Sequence, residues 1–137
     1  MELLNNNISL FLGGGCMGVA DVVNEIMAKH VQIGAVVIFR NDGTIVHSVG
    51  QWQLNPNEIL DVIKNKQPSI TIQGVKYSIF TNTEDSFIAS NLQGLGHVIG
   101  AAINDKGWII VYAGKDADKA EILRTLIGAS SKLKNLV

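Results

Sequence analysis

The chain predicts an α+β fold, a central and mainly antiparallel sheet of six to seven strands flanked by terminal helices. Three observations lead there. Apolar residues recur every three to four positions near both ends and again between residues 55 and 68, the period of a helix with one buried face. Between those segments apolar and polar residues alternate in short runs, the period of strands. Short turns join the runs, too short for the crossover that parallel pairing needs.

Each element follows from local chemistry. Residues 1–17, "MELLNNNISLFLGGGCM", read as an irregular arm, because Asn5 to Asn7 and Gly13 to Gly15 are poor in regular structure. Residues 18–137 read as one domain, large enough to bury roughly two thirds of its unfolded surface. A helix is expected to about residue 30, with Val19, Val22, Val23, Ile26, Met27 and His30 on one face. "IGAVVIFRNDGTIVHSVG" is a hairpin turning at Asn-Asp-Gly, where Gly and Asn tolerate positive φ. Its first run, residues 35–39, is apolar throughout and suits a strand buried on both faces.

"NPNEILDVIKNKQP" carries the punctuation of a second helix. Asn55 caps it, Pro56 fits the first helical position, Glu58 stands where a capping box wants a carboxylate, and Pro68 stops it. Strands are then expected over residues 69–73, 75–81, 86–92 and 97–103, with Gly74 as a bulge or a turn. "NDKG" leads into a last strand, residues 107–114. The end is an amphipathic helix capped by Asp118 with Glu121, whose buried stripe is Ile122, Leu126, Ala129, Leu133 and Leu136.

Composition excludes several functions. The formal net charge is −1 and charged residues are 17%, so no electrostatic signature for nucleic acid is present. Cys16 is the single cysteine, which rules out an internal disulfide and points to a cytoplasmic chain. The start lacks the positive region of a signal peptide, and no segment approaches the ~18 apolar residues of a membrane span. His30, His47 and His97 stand at no metal-ligand spacing, so neither a metal nor a cofactor is expected. "GGGCMG" lacks the Lys and Ser/Thr of a phosphate loop, and "GLGHVIG" leads into a strand rather than a helix N-terminus. Glu84 and Asp85 are neighbours in a turn, and Cys16 has nothing to position it. No enzyme is expected.

The stretch "ITIQGVKYSIFTNTEDSFIAS" supplies the functional signal. Val75, Tyr77 and Ile79 share one face of a strand; Lys76, Ser78 and Phe80 share the other. If helices cover the first face, the second turns a mixed apolar and cationic patch to a partner.

The order and spacing of these segments resemble profilin. The likeness covers about residues 18–137 and rests on the Gly34-Ala35 strand start, the Leu54-x-Pro56-x-Glu58 helix start, Gly74-x-Lys76-Tyr77, and a strand ending at Gly114 before a C-terminal helix. The resemblance implies a cytoplasmic, cytoskeletal protein that binds the actin monomer and regulates polymerisation. Its docking face would comprise Lys76, Ser78, Phe80 and Thr81; Glu84, Ile88 and Ser90; His97 and Ile99; and Asp118, Lys119, Ile122 and Thr125, with Phe80 and Ile99 as apolar anchors. Profilins stack proline-rich ligands on aromatic side chains of both terminal helices. Here neither terminal helix has one, so binding of proline-rich peptides is expected to be weak at most. Phosphoinositide binding would have only Arg124, Lys132 and Lys134 to draw on, and is expected to be weak. These departures, and an Asn-, Ile- and Lys-rich composition, suit a divergent, archaeal-type member. The rival reading is a roadblock or longin-type scaffold for GTPase regulation, which shares the layout and would form a stable homodimer.

Overall fold

The computed structural model describes residues 18–137; the predicted arm, with Phe11 and Cys16, lies outside the described residues. Helix α1 runs Val19–Lys29, and the Gly18 amide donates to the Asp21 carboxylate at 2.9 Å. Strands β1 (Ile33–Arg40) and β2 (Ile45–Val49) form the first hairpin. Helix α2 (Pro56–Lys64) starts as expected: the Asn55 side chain accepts from the Asn57 amide, and Pro56 occupies the first turn. Strands β3 (Ser69–Ile72), β4 (Val75–Asn82), β5 (Ser86–Ser90), β6 (His97–Ile103) and β7 (Gly107–Ala113) follow. Helix α3 (Lys119–Leu133) closes the chain, with the Asp118 carboxylate accepting from the Glu121 amide.

All seven strands join one antiparallel sheet in the order β2-β1-β7-β6-β5-β4-β3. The middle strand is therefore β6, and it and its neighbour β7 are almost wholly buried. Gly74 is a turn glycine between β3 and β4, with φ near +81°, and not a bulge.

Helices cover both faces of the sheet, each over a different part. On one face α1 and α3 pack together over β1, β7 and β6. That core holds Val22, Val23 and Ile26 of α1 against Val36, Ile99, Ile109 and Val111, with Ile122, Leu126 and Leu133 of α3 above them. On the other face α2 and the segment before it cover a second core of Phe39, Ile70, Tyr77, Phe87, Trp108 and Ile110. Trp108, in an otherwise apolar strand, is a packing residue, and its ring stands 6.0 Å from that of Phe87.

The β5–β6 loop, residues 91–96, is built around one side chain. Asn91 Nδ2 donates to the Lys76 carbonyl at 2.9 Å, and its Oδ1 accepts from the amides of Gln93 and Leu95. Both loop glycines have positive φ, yet they differ in their surroundings. A Cβ on Gly94 would meet open space, whereas one on Gly96 would stand 2.6 Å from the Tyr112 hydroxyl and 2.8 Å from the Ala113 carbonyl. Gly94→Ala is therefore expected to destabilise by about 1 kcal/mol, from backbone strain alone. Gly96→Ala is expected to cost about 2–4 kcal/mol, because strain and overpacking add. Urea unfolding midpoints of the two variants check the difference.

Candidate functional site

The open surface begins where α3 ends. α3 lies over β6 and the margin of β5, so β4 and the outer part of β5 continue the same face without a helix above them. Strand register aligns two rows across this face. Ser78, Ser90 and His97 are opposite one another on β4, β5 and β6, and Thr81, Ile88 and Ile99 form the next row. Residues paired in this way present their side chains to the same face.

A bulge sets the composition of the surface. The pairing of β4 with β5 slips between Ile79 and Thr81, so Phe80 is an extra residue with no partner on β5. Strict alternation would place Thr81 on the covered side with Tyr77. The extra residue returns it to the Ser78 side, opposite Ile88. Lys76, Thr81 and Glu84 are exposed, and Phe80 is 63% exposed. Tyr77, three residues before Phe80, is buried in the opposite core. Alternation along Val75–Ile79 thus separates the faces as the sequence predicts.

Three predicted contact residues are buried. Ile99 is 0% exposed and Ile122 1% exposed, because α3 sits directly on β6 and the two side chains meet in that core. Ile99 is therefore core and not an anchor. Ser90 is also buried, and its hydroxyl lies 2.6 Å from His97 Nδ1. The other ring nitrogen, Nε2, donates to the Lys115 carbonyl at 3.0 Å. A carbonyl only accepts, so in the neutral ring Nδ1 is the acceptor for Ser90. His97 is a strut that ties β5 and β6 to the loop leading into α3.

The flank of α3 decides the fate of Thr125. Its hydroxyl lies 2.7 Å from His30 Nε2, at the C-terminus of α1, so it faces the partner helix and not the open sheet. At ~100° per residue the opposite flank carries Lys119, Leu123 and Ile127. Asp118 caps this helix and stays exposed.

Periodicity missed three apolar residues beside the face. Leu92 is 76% exposed and Leu95 is also exposed, both held by the Asn91 loop; Ile127 is 50% exposed on α3. An apolar pair inside a Gly-rich turn was the available signal, since such side chains have no local core to enter. A second opening, about 420 Å³, lies between α1 and α3. Its walls carry Glu25, Lys29, Arg124 and Lys132, and no aromatic side chain among the described residues lines it.

Among the described residues no three His, Cys, Asp or Glu side chains gather as a metal site, and no described helix is long and apolar enough to cross a membrane. What remains is the class of small α+β domains with one uncovered, mixed apolar and cationic sheet face.

No family model matches the chain. Odin profilin from Odinarchaeota yellowstonii (strain LCB_4) is 38% identical over 86 residues, covering 63% of this chain and 72% of that protein. Loki profilin-2 from Lokiarchaeum sp. (strain GC14_75) is 29% identical over 127 residues, covering 85% and 95%. The solved complex of Loki profilin 2 with rabbit actin matches with a TM-score of 0.78 at 28% identity, over 87% of this chain and 97% of that one. This chain belongs to the profilin family. A Roadblock/LC7 domain from Streptomyces avermitilis matches with a TM-score of 0.53 at 11% identity, a likeness of fold alone.

Proposed function

We propose that this profilin binds the actin monomer through the uncovered half of its sheet and regulates polymerisation, as a cytoplasmic protein of the cytoskeleton without enzymatic activity. One observation carries the reading: the β4–β5 face is free of helices, with Lys76, Phe80 and Thr81 exposed, in a chain whose relative, Loki profilin 2, is solved in complex with rabbit actin.

In this reading Phe80 is the apolar anchor, and Ser78, Thr81 and Ile88 surround it. Lys76 and Lys119 favour an acidic partner surface and speed encounter. Glu84 and Asp118 stand at the rim, where charges tune specificity more than affinity. Ser90, His97, Ile99 and Ile122 shape the face from beneath. Thr125 braces α3 against α1. Proline-rich peptides are weak partners at most because no aromatic side chain among the described residues walls the α1–α3 cleft, and phosphoinositides because Arg124 and Lys132 there are paired with Glu121 and Glu25. The 1–17 arm is read as separate from this domain.

The experiment is a polymerisation assay with purified actin and increasing amounts of this protein. Polymerisation slows in proportion to the protein added, and a one-to-one complex sediments faster than either component. Unchanged kinetics at a large molar excess, together with a stable homodimer, would favour the roadblock-type reading instead.

A further inference from the structure

The face opposite α1 and α3 holds a second cleft. It measures about 270 Å³ and lies between the start of β1, the β2–α2 connection and the β3–β4 turn. Trp52 and Tyr112 wall it, with ring centroids 6.2 Å apart and planes tilted by 55°. Gln51 and Gln73 offer primary amides, and no side chain charged at neutral pH lines it. Gly34 adds bare backbone, because the pairing of β1 with β7 slips between Ile33 and Ala35.

Tyr77 is the group that internal packing leaves unexplained. The Tyr112 hydroxyl donates to the Leu95 carbonyl at 2.7 Å. Tyr77 lines the same cleft and is 3% exposed, yet its hydroxyl has no hydrogen-bond partner among the described residues. A tyrosine hydroxyl that lines a cleft and has no partner among the described residues takes one from water or from a ligand. Burial, and then the nearby Tyr112, push its ionisation above the usual tyrosine range, so it remains a neutral donor.

We propose that this cleft binds an extended, uncharged peptide segment of a partner protein, which lays an aliphatic side chain against Trp52 and Tyr112 and a backbone carbonyl against the Tyr77 hydroxyl. Charge selects the occupant: an uncharged cleft offers nothing to offset the desolvation of an ion. Aromatic walls with flanking amides match the alternating apolar and amide groups of a peptide. The shape selects a chain over a compact ligand. At Val75 the cleft adjoins a second one, about 350 Å³, lined by Lys76, Ser78, Leu92 and Leu95. A bound segment therefore runs from Trp52 around the end of the sheet toward the β4–β5 face. The proposal does not depend on actin.

The test uses the protein alone, ¹⁵N-labelled, titrated with the blocked peptide acetyl-Ala-Leu-Val-Ala-amide. Saturable shifts are expected at the Trp52 indole and at the amides of Gly34 and Gln73. Tyr77→Phe, which keeps the ring and removes the donor, weakens binding about tenfold. Trp52→Ala removes saturable binding. The control acetyl-Ala-Glu-Glu-Ala-amide does not bind. The proposal fails if no saturable shift occurs, if the shifts cluster between α1 and α3, if the glutamate peptide binds equally well, or if Tyr77→Phe binds like the native protein.

Discussion

Phe80→Ala weakens binding to the actin monomer by about thirtyfold and leaves the unfolding free energy within a few tenths of a kcal/mol of the native protein. The size follows from the position. Phe80 is 63% exposed in the free domain, so the fold gains little from it. Against a partner the ring becomes the apolar centre of the contact, and truncating such an anchor costs about 2 kcal/mol or more. Lys76→Glu acts differently. It reverses a charge on an exposed strand and slows association more than it hastens dissociation, with a loss that shrinks as salt is added. Titration calorimetry and thermal unfolding on the same samples separate the two effects. A Phe80→Ala protein that unfolds several kcal/mol more easily, or that binds undiminished, would remove the proposed face.

Ile99→Ala is the counterpart and has the larger effect on the fold. Ile99 is 0% exposed beneath α3 and shares its core with Ile122 and Leu126. Truncation of a buried isoleucine leaves a cavity and costs about 2–5 kcal/mol. For a domain of this size the expected fall in melting temperature is roughly 10 °C. The folded fraction binds actin with an affinity changed less than threefold, because the side chain never reaches the surface. Calorimetric melting gives the first number and binding below the transition gives the second. A variant of full stability with affinity lost as in Phe80→Ala would restore Ile99 to the contact surface.

The two residues show what could be read before any coordinates. Lys76 and Ser78 lie where alternation along Val75–Ile79 is local and already marks their side as polar, and Phe80, the bulge residue that follows, is exposed. Ile99 lies in "HVIGAAI", a run apolar on both sides, which alternation cannot orient. Its burial follows from where α3 comes to rest, and that is decided by the packing of α3 on the sheet and against α1. Thr125 shows the same dependence. Helical spacing identifies Ile122, Leu126, Ala129, Leu133 and Leu136 as the buried stripe; the first four are buried, whereas Leu136 lies past the end of the helix and is exposed. It does not say which flank meets α1 and which overlooks the open sheet.

Thr81, Leu92 and Leu95 depend on irregular backbone. The bulge after Ile79 has no side-chain signature in "VKYSIFTN", yet it alone returns Thr81 to the open face. The Asn91 loop holds Leu92 and Leu95 outward through three side-chain hydrogen bonds to distant or reversed backbone. Tyr77 and Trp52, far apart along the chain, meet in one cleft only because α2 and its leading segment fold over the second face.

The residues alone determined the kind and order of the elements, the caps of α2 and α3, and the two sides of β4 as far as Ile79. Those depend on periodicity and on hydrogen bonds within a few positions, so they are written locally. The tertiary structure alone decided which of the chosen side chains reach solvent. Exposure depends on which surfaces the helices cover, and that is settled by packing between segments that no short stretch of chain contains.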